Sequence, residues 1–213
     1  MIDSTNVKVT ATKNEIEELC RESVQHGFRC AVVNPIYVRF AAALLKGSNV
    51  KVCSTVGFPF GVALPEIKAL EAVKAVEDGA EELDMVINLS ALKSGDYDVV
   101  KRDIAAVVDV KLSSKDIIVK VIIETAYLTK KEKITACKLV KEAKADFVKT
   151  STGLFGKGAT VNDVMLMRQT VGKDMGVKAA GGIRTYVDAV AMIKAGANRI
   201  GTSTAVQIIE GTS

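Results

Sequence analysis

Two lysines stand at positions where a charged side chain is costly, and their chemistry directs the interpretation of the chain. Lys149 ends the apolar run 145–149, and Lys178 ends a second run, 175–178. Both runs have the composition of buried strands, and each stops before a turn rich in small residues. Burial disfavours the ammonium form of lysine, and an uncharged lysine amine is a nucleophile for carbonyl carbon. The pair therefore predicts Schiff-base chemistry.

The two lysines are expected on neighbouring strands, where their charges would act on each other. At a separation of ~6 Å and an effective dielectric of ~20, two ammonium groups repel by roughly 3 kcal/mol. This repulsion lowers one lysine pKa by about two units from its usual ~10.4, and burial lowers it further. The alternative is that each lysine pairs with a carboxylate, such as Asp84 or Glu124, and has only a structural role.

Loops with the residues of anion-binding turns follow both lysines and the last apolar run. Glycine lets the backbone approach an anion closely, and hydroxyl side chains add donors. Barrel enzymes often bind phosphate with the loops after strands seven and eight. A phosphate site, and hence a phosphorylated sugar, is therefore expected at Ser151, Thr152, Gly153, Gly181, Gly182, Arg184, Gly201, Thr202 and Ser203. The simpler alternative is that each glycine marks only a tight turn.

Polar residues at the ends of other apolar runs are expected to meet the lysines at one face. Asp84 lies inside an apolar segment, so its carboxylate should be desolvated and face the lysines, either as a proton relay or as a structural counter-ion. Lys120 and Glu124 flank three apolar residues and predict a buried supporting pair. The expected supporting set is completed by Asn88, Asp3 and Thr5.

These side chains must be positioned by the apolar, β-branched runs that alternate with helix-period segments along the chain. The predicted strands are 2–5, 29–33, 50–55, 82–87, 116–123, 146–150, 175–179 and 198–201. Their near-continuous hydrophobicity is typical of parallel strands buried on both faces. The alternation predicts an α/β fold, a single (β/α)8 TIM barrel over residues 1–213, with a short N-terminal strand and a short helix after the last strand. Without that first strand, an open doubly wound sheet would result.

Helices between the strands are predicted from capping signals and apolar periodicity. Thr12 and Glu15 have the spacing of a capping box that opens a helix. A second helix is predicted over 65–78, where apolar residues recur with helical period at Ile67, Leu70, Val73 and Val76.

Composition excludes several classes of function. The 213 residues carry a net charge of +4 without a basic run, and aromatic residues are 5% of the chain, so nucleic-acid binding is not expected. The sequence has neither a membrane-spanning apolar stretch nor a signal peptide, which indicates a cytoplasmic protein. One histidine and four unclustered cysteines predict no metal site and reduced, buried thiols.

Several segments resemble the 2-deoxyribose-5-phosphate aldolase family, whose members are Schiff-base (class I) aldolases with a (β/α)8 barrel. The similarity runs essentially end to end. It is carried by GFP at 57–59, ELDMVIN at 82–88, KVIIET at 120–125, FVKTSTG at 147–153, VKAAGGIRT at 177–185 and RIGTS at 199–203. Departures from the family pattern occur at Ser4, Val9, Val32 and Ser90.

The resemblance implies reversible cleavage of 2-deoxy-D-ribose 5-phosphate to D-glyceraldehyde 3-phosphate and acetaldehyde. It makes Lys149 the imine-forming residue, Lys178 the neighbour that perturbs its pKa, and Asp84 the proton relay. It implies no cofactor, small-molecule phosphosugar and aldehyde substrates, and a homo-oligomer, either a dimer or a tetramer. Two alternatives stay open: another phosphosugar barrel enzyme, either an isomerase or a different Schiff-base aldolase, and a catalytically silent barrel that only binds phosphorylated metabolites.

Overall fold

A computed structural model of the chain describes residues 1–114 and 116–211, and within them parallel strands form a closed barrel. The end of the expected domain, residues 212–213, lies outside the described part. In chain order the strands β1 to β8 are Ile2–Asn6, Cys30–Val33, Lys51–Val56, Glu82–Val86, Ile118–Ile122, Phe147–Lys149, Gly176–Ala180 and Arg199–Thr202. The predicted TIM barrel is confirmed.

Helices connect the strands and cover the outside of the barrel. In chain order α1 to α9 are Lys13–Gln25, Val38–Leu45, Pro65–Glu77, Leu89–Ser94, Tyr97–Val108, Lys130–Glu142, Val161–Val171, Tyr186–Lys194 and Ala205–Glu210. The capping box predicted at Thr12 and Glu15 is present. Helix α4 is not predicted by the sequence pattern, because its six residues are too few to show a period. It depends on local chemistry: Asn88 accepts a hydrogen bond from the Ala91 amide, and Gly95 ends the helix in the left-handed conformation.

The short first strand decides between a closed barrel and an open sheet. β1 pairs with β2 through Asp3 and Cys30, and with β8 through Asp3 and Gly201. A strand with hydrogen-bonded neighbours on both sides closes the cylinder, so the open doubly wound alternative is wrong. Closure brings the carboxyl ends of the strands to one mouth, which is where barrel enzymes carry their active sites.

Alternate residues of each strand point to opposite sides of the sheet, and the two sides have different chemistry. The outward side chains, such as Leu83, Val121 and Val177, are fully buried against the helices and form the main apolar core. The interior instead contains charged groups with a small apolar cluster of Cys30, Val32 and Cys53. Val32, one of the departures from the family pattern, therefore packs inside the barrel.

Three of the four periodic apolar residues of α3, Ile67, Leu70 and Val73, are exposed, and only Val76 packs against the core. Ile67 is 53% exposed and Leu70 is 64% exposed, whereas Lys68 and Ala72 are fully buried. The Lys68 Nζ donates to Asp103 Oδ2 on α5 at 2.7 Å and to the Val86 carbonyl at 2.8 Å. Because a buried charge without its partner is costly, this pair fixes the rotation of α3 about its axis. We name the outward residues the α3 apolar surface: Phe60, Val62, Leu64, Ile67 and Leu70.

Candidate active site

Adjacent strands bring the two predicted lysines side by side. Lys149 on β6 is paired in register with Lys178 on β7, so their side chains leave the sheet at the same height. On the other side of the site, Asp84 on β4 is in register with Lys120 on β5. Both pairs point into the barrel, as the period of the strand requires.

Asp84 lies at the centre of the lysines. Its Oδ2 accepts hydrogen bonds from the Nζ of Lys149 at 2.6 Å and of Lys178 at 2.7 Å. Its Oδ1 accepts from the Nζ of Lys120 at 2.9 Å. Because the Nζ atoms of Lys149 and Lys178 both bond to one oxygen, they lie closer together than the ~6 Å at which their repulsion was evaluated. The predicted convergence of Lys149, Lys178 and Asp84 is therefore present in the structure.

The pKa values of Lys149 and Lys178 are shifted in opposite directions. Burial lowers the pKa of Lys149, and the charge of Lys178 lowers it further, against the opposing effect of Asp84. Burial also disfavours the charged form of Lys178, but Asp3 and Asp84 outweigh it and raise the pKa of that lysine. The direction expected for Lys149 is thus obtained, with burial rather than repulsion as the largest cause. Lys149 is the amine suited to attack a carbonyl, while Lys178 keeps its charge.

Lys120 and Glu124 do not form the expected pair. Lys120 instead contacts Glu82 at 2.7 Å and Asp84 at 2.9 Å inside the barrel. Glu124 accepts hydrogen bonds from the backbone amide and hydroxyl of Thr152. Its backbone has φ of 49°, in the left-handed region, so the chain turns just after β5 and carries this carboxylate away from the interior. Two residues an even number of positions apart share a face of the sheet only while both lie in the same strand.

A cavity opens above Lys149 at the mouth of the barrel. Lys149 is 4% exposed and lines it, whereas Lys178 and Asp84 are fully buried below. The cavity is also lined by the predicted residues Thr5, Thr152, Gly153, Gly181, Gly182, Arg184, Gly201, Thr202 and Ser203. Ser151 is not among the lining residues, although its fully buried hydroxyl has no hydrogen-bond partner in the described structure.

Close backbone approach explains two of the glycines in these loops. A Cβ at Gly181 would lie 3.0 Å from Gly158 Cα and 3.2 Å from Gly153 Cα, and Gly181 has φ of 91°. The loops after β6 and β7 therefore touch through backbone alone, which exposes amide groups at the cavity. A Cβ at Gly201 would lie 3.0 Å from Lys178 Cε, so this glycine also makes room for the Lys178 side chain.

Some residues of the site are not indicated by the sequence, and some expected ones lie elsewhere. Asn6, Val7 and Lys8 line the cavity because β1 runs one residue further than predicted and its loop folds over the mouth. Their only sequence signal is their place at the end of a strand. Asn88 caps α4 and does not line the cavity. Asp3 is fully buried beneath it, where its Oδ2 contacts the Nζ of Lys178 at 2.7 Å.

A second set of polar groups lies at the opposite end of the barrel interior. Oxygen and sulfur atoms of Asp3, Cys30 and Glu82 lie within 4.8 Å of one another, a spacing that could suit a cation. The guanidinium of Arg199 is placed among them, 2.6 Å from Asp3 Oδ1, 3.4 Å from Cys30 Sγ and 3.2 Å from Glu82 Oε1. An arginine thus supplies the positive charge there.

The fold and the site together define a class. The (β/α)8 barrel places a buried lysine of lowered pKa beneath glycine-lined loops. This arrangement is typical of enzymes that act covalently on a carbonyl substrate. Comparison with known proteins gives the family. Residues 2–209 match the family described as DeoC/LacD family aldolase, and the chain belongs to this family.

Relatives of known name are similar along the whole chain. A deoxyribose-phosphate aldolase of Methanothermobacter thermautotrophicus is 63% identical over 212 residues, covering 99% of this chain and 93% of the relative. One from Thermococcus gammatolerans is 62% identical, covering 99% of this chain and 94% of the relative. The crystal structure of the tetrameric deoxyribose phosphate aldolase of Aeropyrum pernix superposes with a TM-score of 0.92 at 40% identity, covering 98% of this chain and 88% of that one.

Proposed function

We propose that this chain is a single aldolase domain that reversibly cleaves 2-deoxy-D-ribose 5-phosphate to D-glyceraldehyde 3-phosphate and acetaldehyde. The observation that carries the proposal is the position of Lys149, a desolvated amine facing the cavity and sharing one Asp84 oxygen with Lys178. Family membership narrows the carbonyl chemistry to aldol cleavage. We further expect small-molecule partners and a cytoplasmic location, since the four cysteines are buried free thiols.

In the cleavage direction, the Lys149 amine attacks C1 of the open-chain sugar phosphate and forms a carbinolamine. Loss of water from the carbinolamine gives a protonated imine on Lys149. The C3 hydroxyl then loses its proton while the C2–C3 bond breaks, and the electron pair of that bond moves onto the imine as an enamine. Glyceraldehyde 3-phosphate leaves at this step. The protonated imine accepts these two electrons, so the cleavage step needs no further electron acceptor.

Proton transfers around the imine need a group that can give and take a proton in a dry site. Asp84 and Lys178 lie directly below Lys149 and are linked by a 2.7 Å hydrogen bond. We assign to them, with a water molecule, the proton that the carbinolamine hydroxyl takes up as it leaves as water, the proton that the C3 hydroxyl loses on cleavage, and the proton added to the enamine carbon. Water then hydrolyses the remaining imine and releases acetaldehyde.

The loops at the mouth are assigned to the phosphate of the substrate. Gly153, Gly181 and Gly182 line the cavity and all have positive φ, a backbone conformation found in anion-binding turns. Arg184 and Ser203 supply a guanidinium and a hydroxyl at the same cavity. Binding energy gained at the phosphate fixes the carbonyl over Lys149 and lowers the barrier at the reacting centre.

The test is reductive trapping. Acetaldehyde and borohydride are added to the protein, and the modified peptides are identified by mass spectrometry. We expect an ethyl group on Lys149, and none when acetaldehyde is omitted or when the enzyme is first saturated with a phosphate analogue of the substrate that lacks a carbonyl. An adduct on Lys178 or Lys120 would refute the assignment of the nucleophile. Absence of any adduct, with substrate still bound, would favour a silent binding barrel.

We also propose a homo-oligomer, built through the α3 apolar surface. The relative from Aeropyrum pernix is described as tetrameric. In this chain Phe60 and Leu64, just before α3, and Leu70 on α3 are each more than half exposed. Five large apolar side chains are exposed within residues 60–70, and exposed apolar patches mark protein–protein contacts. A second copy of the chain would cover them.

Light scattering on the purified protein tests the interface. The wild type should have the mass of a dimer or tetramer, and the double variant Ile67→Glu, Leu70→Glu should shift to monomer, because it places charges in an apolar contact. The matched control is the double variant Tyr186→Glu, Val187→Glu on α8, where residues 59% and 74% exposed gain the same two charges. The control should keep the wild-type mass. A monomeric wild type, or dissociation by the control alone, would contradict the proposed surface.

A further inference from the structure

The charged groups inside the barrel form a closed ring in which anions and cations alternate. Starting at Asp84, the ring runs through Lys178 to Asp3 and from there to Arg199, with contacts of 2.7, 2.7 and 2.6 Å. It continues through Glu82 to Lys120 and back to Asp84, with contacts of 3.2, 2.7 and 2.9 Å. Three carboxylates and three cations make the ring neutral. Each member has an opposite charge on both sides.

Lys149 is outside this ring. It contacts Asp84 alone among the carboxylates of the described residues, and that carboxylate already serves Lys178 and Lys120. With a proton on Lys149 the interior carries one uncompensated positive charge, and without it the interior is neutral. A buried site of low dielectric favours the state without net charge, in which Lys149 carries no proton.

The direction in which the pKa of each interior group is shifted agrees with this count of charges. Burial would raise the pKa of the three ring carboxylates, but the neighbouring cations lower all three. Burial would lower the pKa of the three ring cations, but their carboxylates raise them. The described residues place three lysines inside the barrel: Lys120, Lys149 and Lys178. Of these three, only Lys149 has its pKa lowered. The ring therefore distinguishes Lys149, which gives up its proton more readily than an ordinary lysine, from Lys120 and Lys178, which hold theirs more strongly.

We propose that Glu82 and Arg199, at the end of the barrel away from the cavity, are positioning residues that select Lys149 as the nucleophile by fixing the net charge of the interior. The inference rests on the proposed function of Lys149. Neither residue lines the cavity, and both are nearly fully buried, Glu82 at 1% and Arg199 at 6% exposed. They act on the amine through the ring rather than by contact with substrate.

Other titratable groups near the site leave the charge count unchanged. The thiols of Cys30 and Cys53 stay protonated, because burial raises the pKa of both. Glu124 lies outside the ring, where its carboxylate accepts hydrogen bonds from the amide and hydroxyl of Thr152, and burial raises its pKa. Arg29 is half exposed and reaches Glu82 from the surface at 3.4 Å, where solvent screens it. The ionisable groups that the other seven strands place inside the barrel with Lys149 are thus Asp3, Cys30, Cys53, Glu82, Asp84, Lys120, Lys178 and Arg199.

The test is the pH dependence of reductive ethylation of Lys149 by acetaldehyde and cyanoborohydride. Arg199→Met removes a cation, so Lys149 holds its proton more strongly. The acidic limb of the rate profile should move up by ~1 pH unit, and the rate on that limb should fall ~10-fold. Glu82→Gln removes an anion and should move the limb down by a similar amount. The double variant restores neutrality and should return the limb to within ~0.3 unit of the wild type.

Two comparisons separate this role from a structural one. Arg199→Lys keeps the charge and loses the two-pronged geometry of the guanidinium, so it should keep the wild-type profile even if the protein melts at a lower temperature. If one single variant fails to fold, the opposite shift of the other still decides. Shifts of the same sign in both single variants, no shift in either, or a double variant displaced further than each would overturn the proposal. An unmodified Lys149 in the wild type would instead refute the proposed function itself.

Discussion

Replacing Lys149 by methionine should abolish cleavage while leaving the barrel about as stable as before. Loss of the nucleophile removes the covalent route entirely, and we expect kcat/KM to fall by ~10⁴-fold or more. Stability should stay within about 1 kcal/mol, because the methionine side chain would fill a similar volume and the charge ring closes without Lys149. Cleavage assays and thermal unfolding of the same preparation measure these two properties, and borohydride trapping of the variant should give no adduct at position 149.

The matched control is Lys178→Met, the same chemical change at the neighbouring strand position. It breaks the ring and leaves Asp3 and Asp84 each without one cation, which should cost about 3–5 kcal/mol of unfolding free energy. Asp84 would then hold Lys149 protonated more strongly, so trapping should slow but still label Lys149. Retained cleavage in Lys149→Met, or an adduct on Lys178 in that variant, would contradict the assignment.

Replacing Asp84 by asparagine should separate imine formation from turnover. The Asp84 charge raises the pKa of Lys149, so its removal lowers that pKa further and increases the free amine at any given pH. The acidic limb of the trapping reaction should therefore move to lower pH, and Lys149 should still be labelled. Turnover should nevertheless fall by ~10²- to 10⁴-fold, because the proton relay is lost. Unfolding free energy should drop by about 3–5 kcal/mol as three lysines lose a shared carboxylate.

Asp103→Asn provides a control for the loss of a buried carboxylate elsewhere. Asp103 is paired with Lys68 between α3 and α5, outside the barrel interior, so this variant should lose comparable stability. Its turnover per folded molecule and its trapping profile should match the wild type. If Asp84→Asn turned over at the wild-type rate, Asp84 would be a structural counter-ion and the relay would have to be sought elsewhere.

Local sequence signals identify most of the elements. Strand β7 is predicted at 175–179 and is observed at Gly176–Ala180, because a short, mainly apolar run that ends before the glycine pair 181–182 is typical of a buried strand. The capping box at Thr12 likewise depends on residues three apart. Helix α4 and the outward rotation of α3 are not predicted, because one is shorter than a hydrophobic period and the other is set by a partner 35 residues away.

Local sequence patterns are enough to predict the alternating strands and helices and to place Lys149 and Lys178 at the ends of two buried strands. It also indicated Asp84, since an acidic residue inside an apolar run needs a partner. Those features depend on local composition and period.

The pairing of the buried charges depends on how the strands assemble into the barrel. Glu82 and Arg199 begin their strands, where side chains usually reach solvent, and nothing local indicates that closure turns both inward. Lys120 pairs with Glu82 and Asp84 rather than with Glu124, because the chain leaves the strand conformation at residue 124. Contacts between residues distant in sequence depend on the register of a closed barrel, and that register is a property of all the strands together.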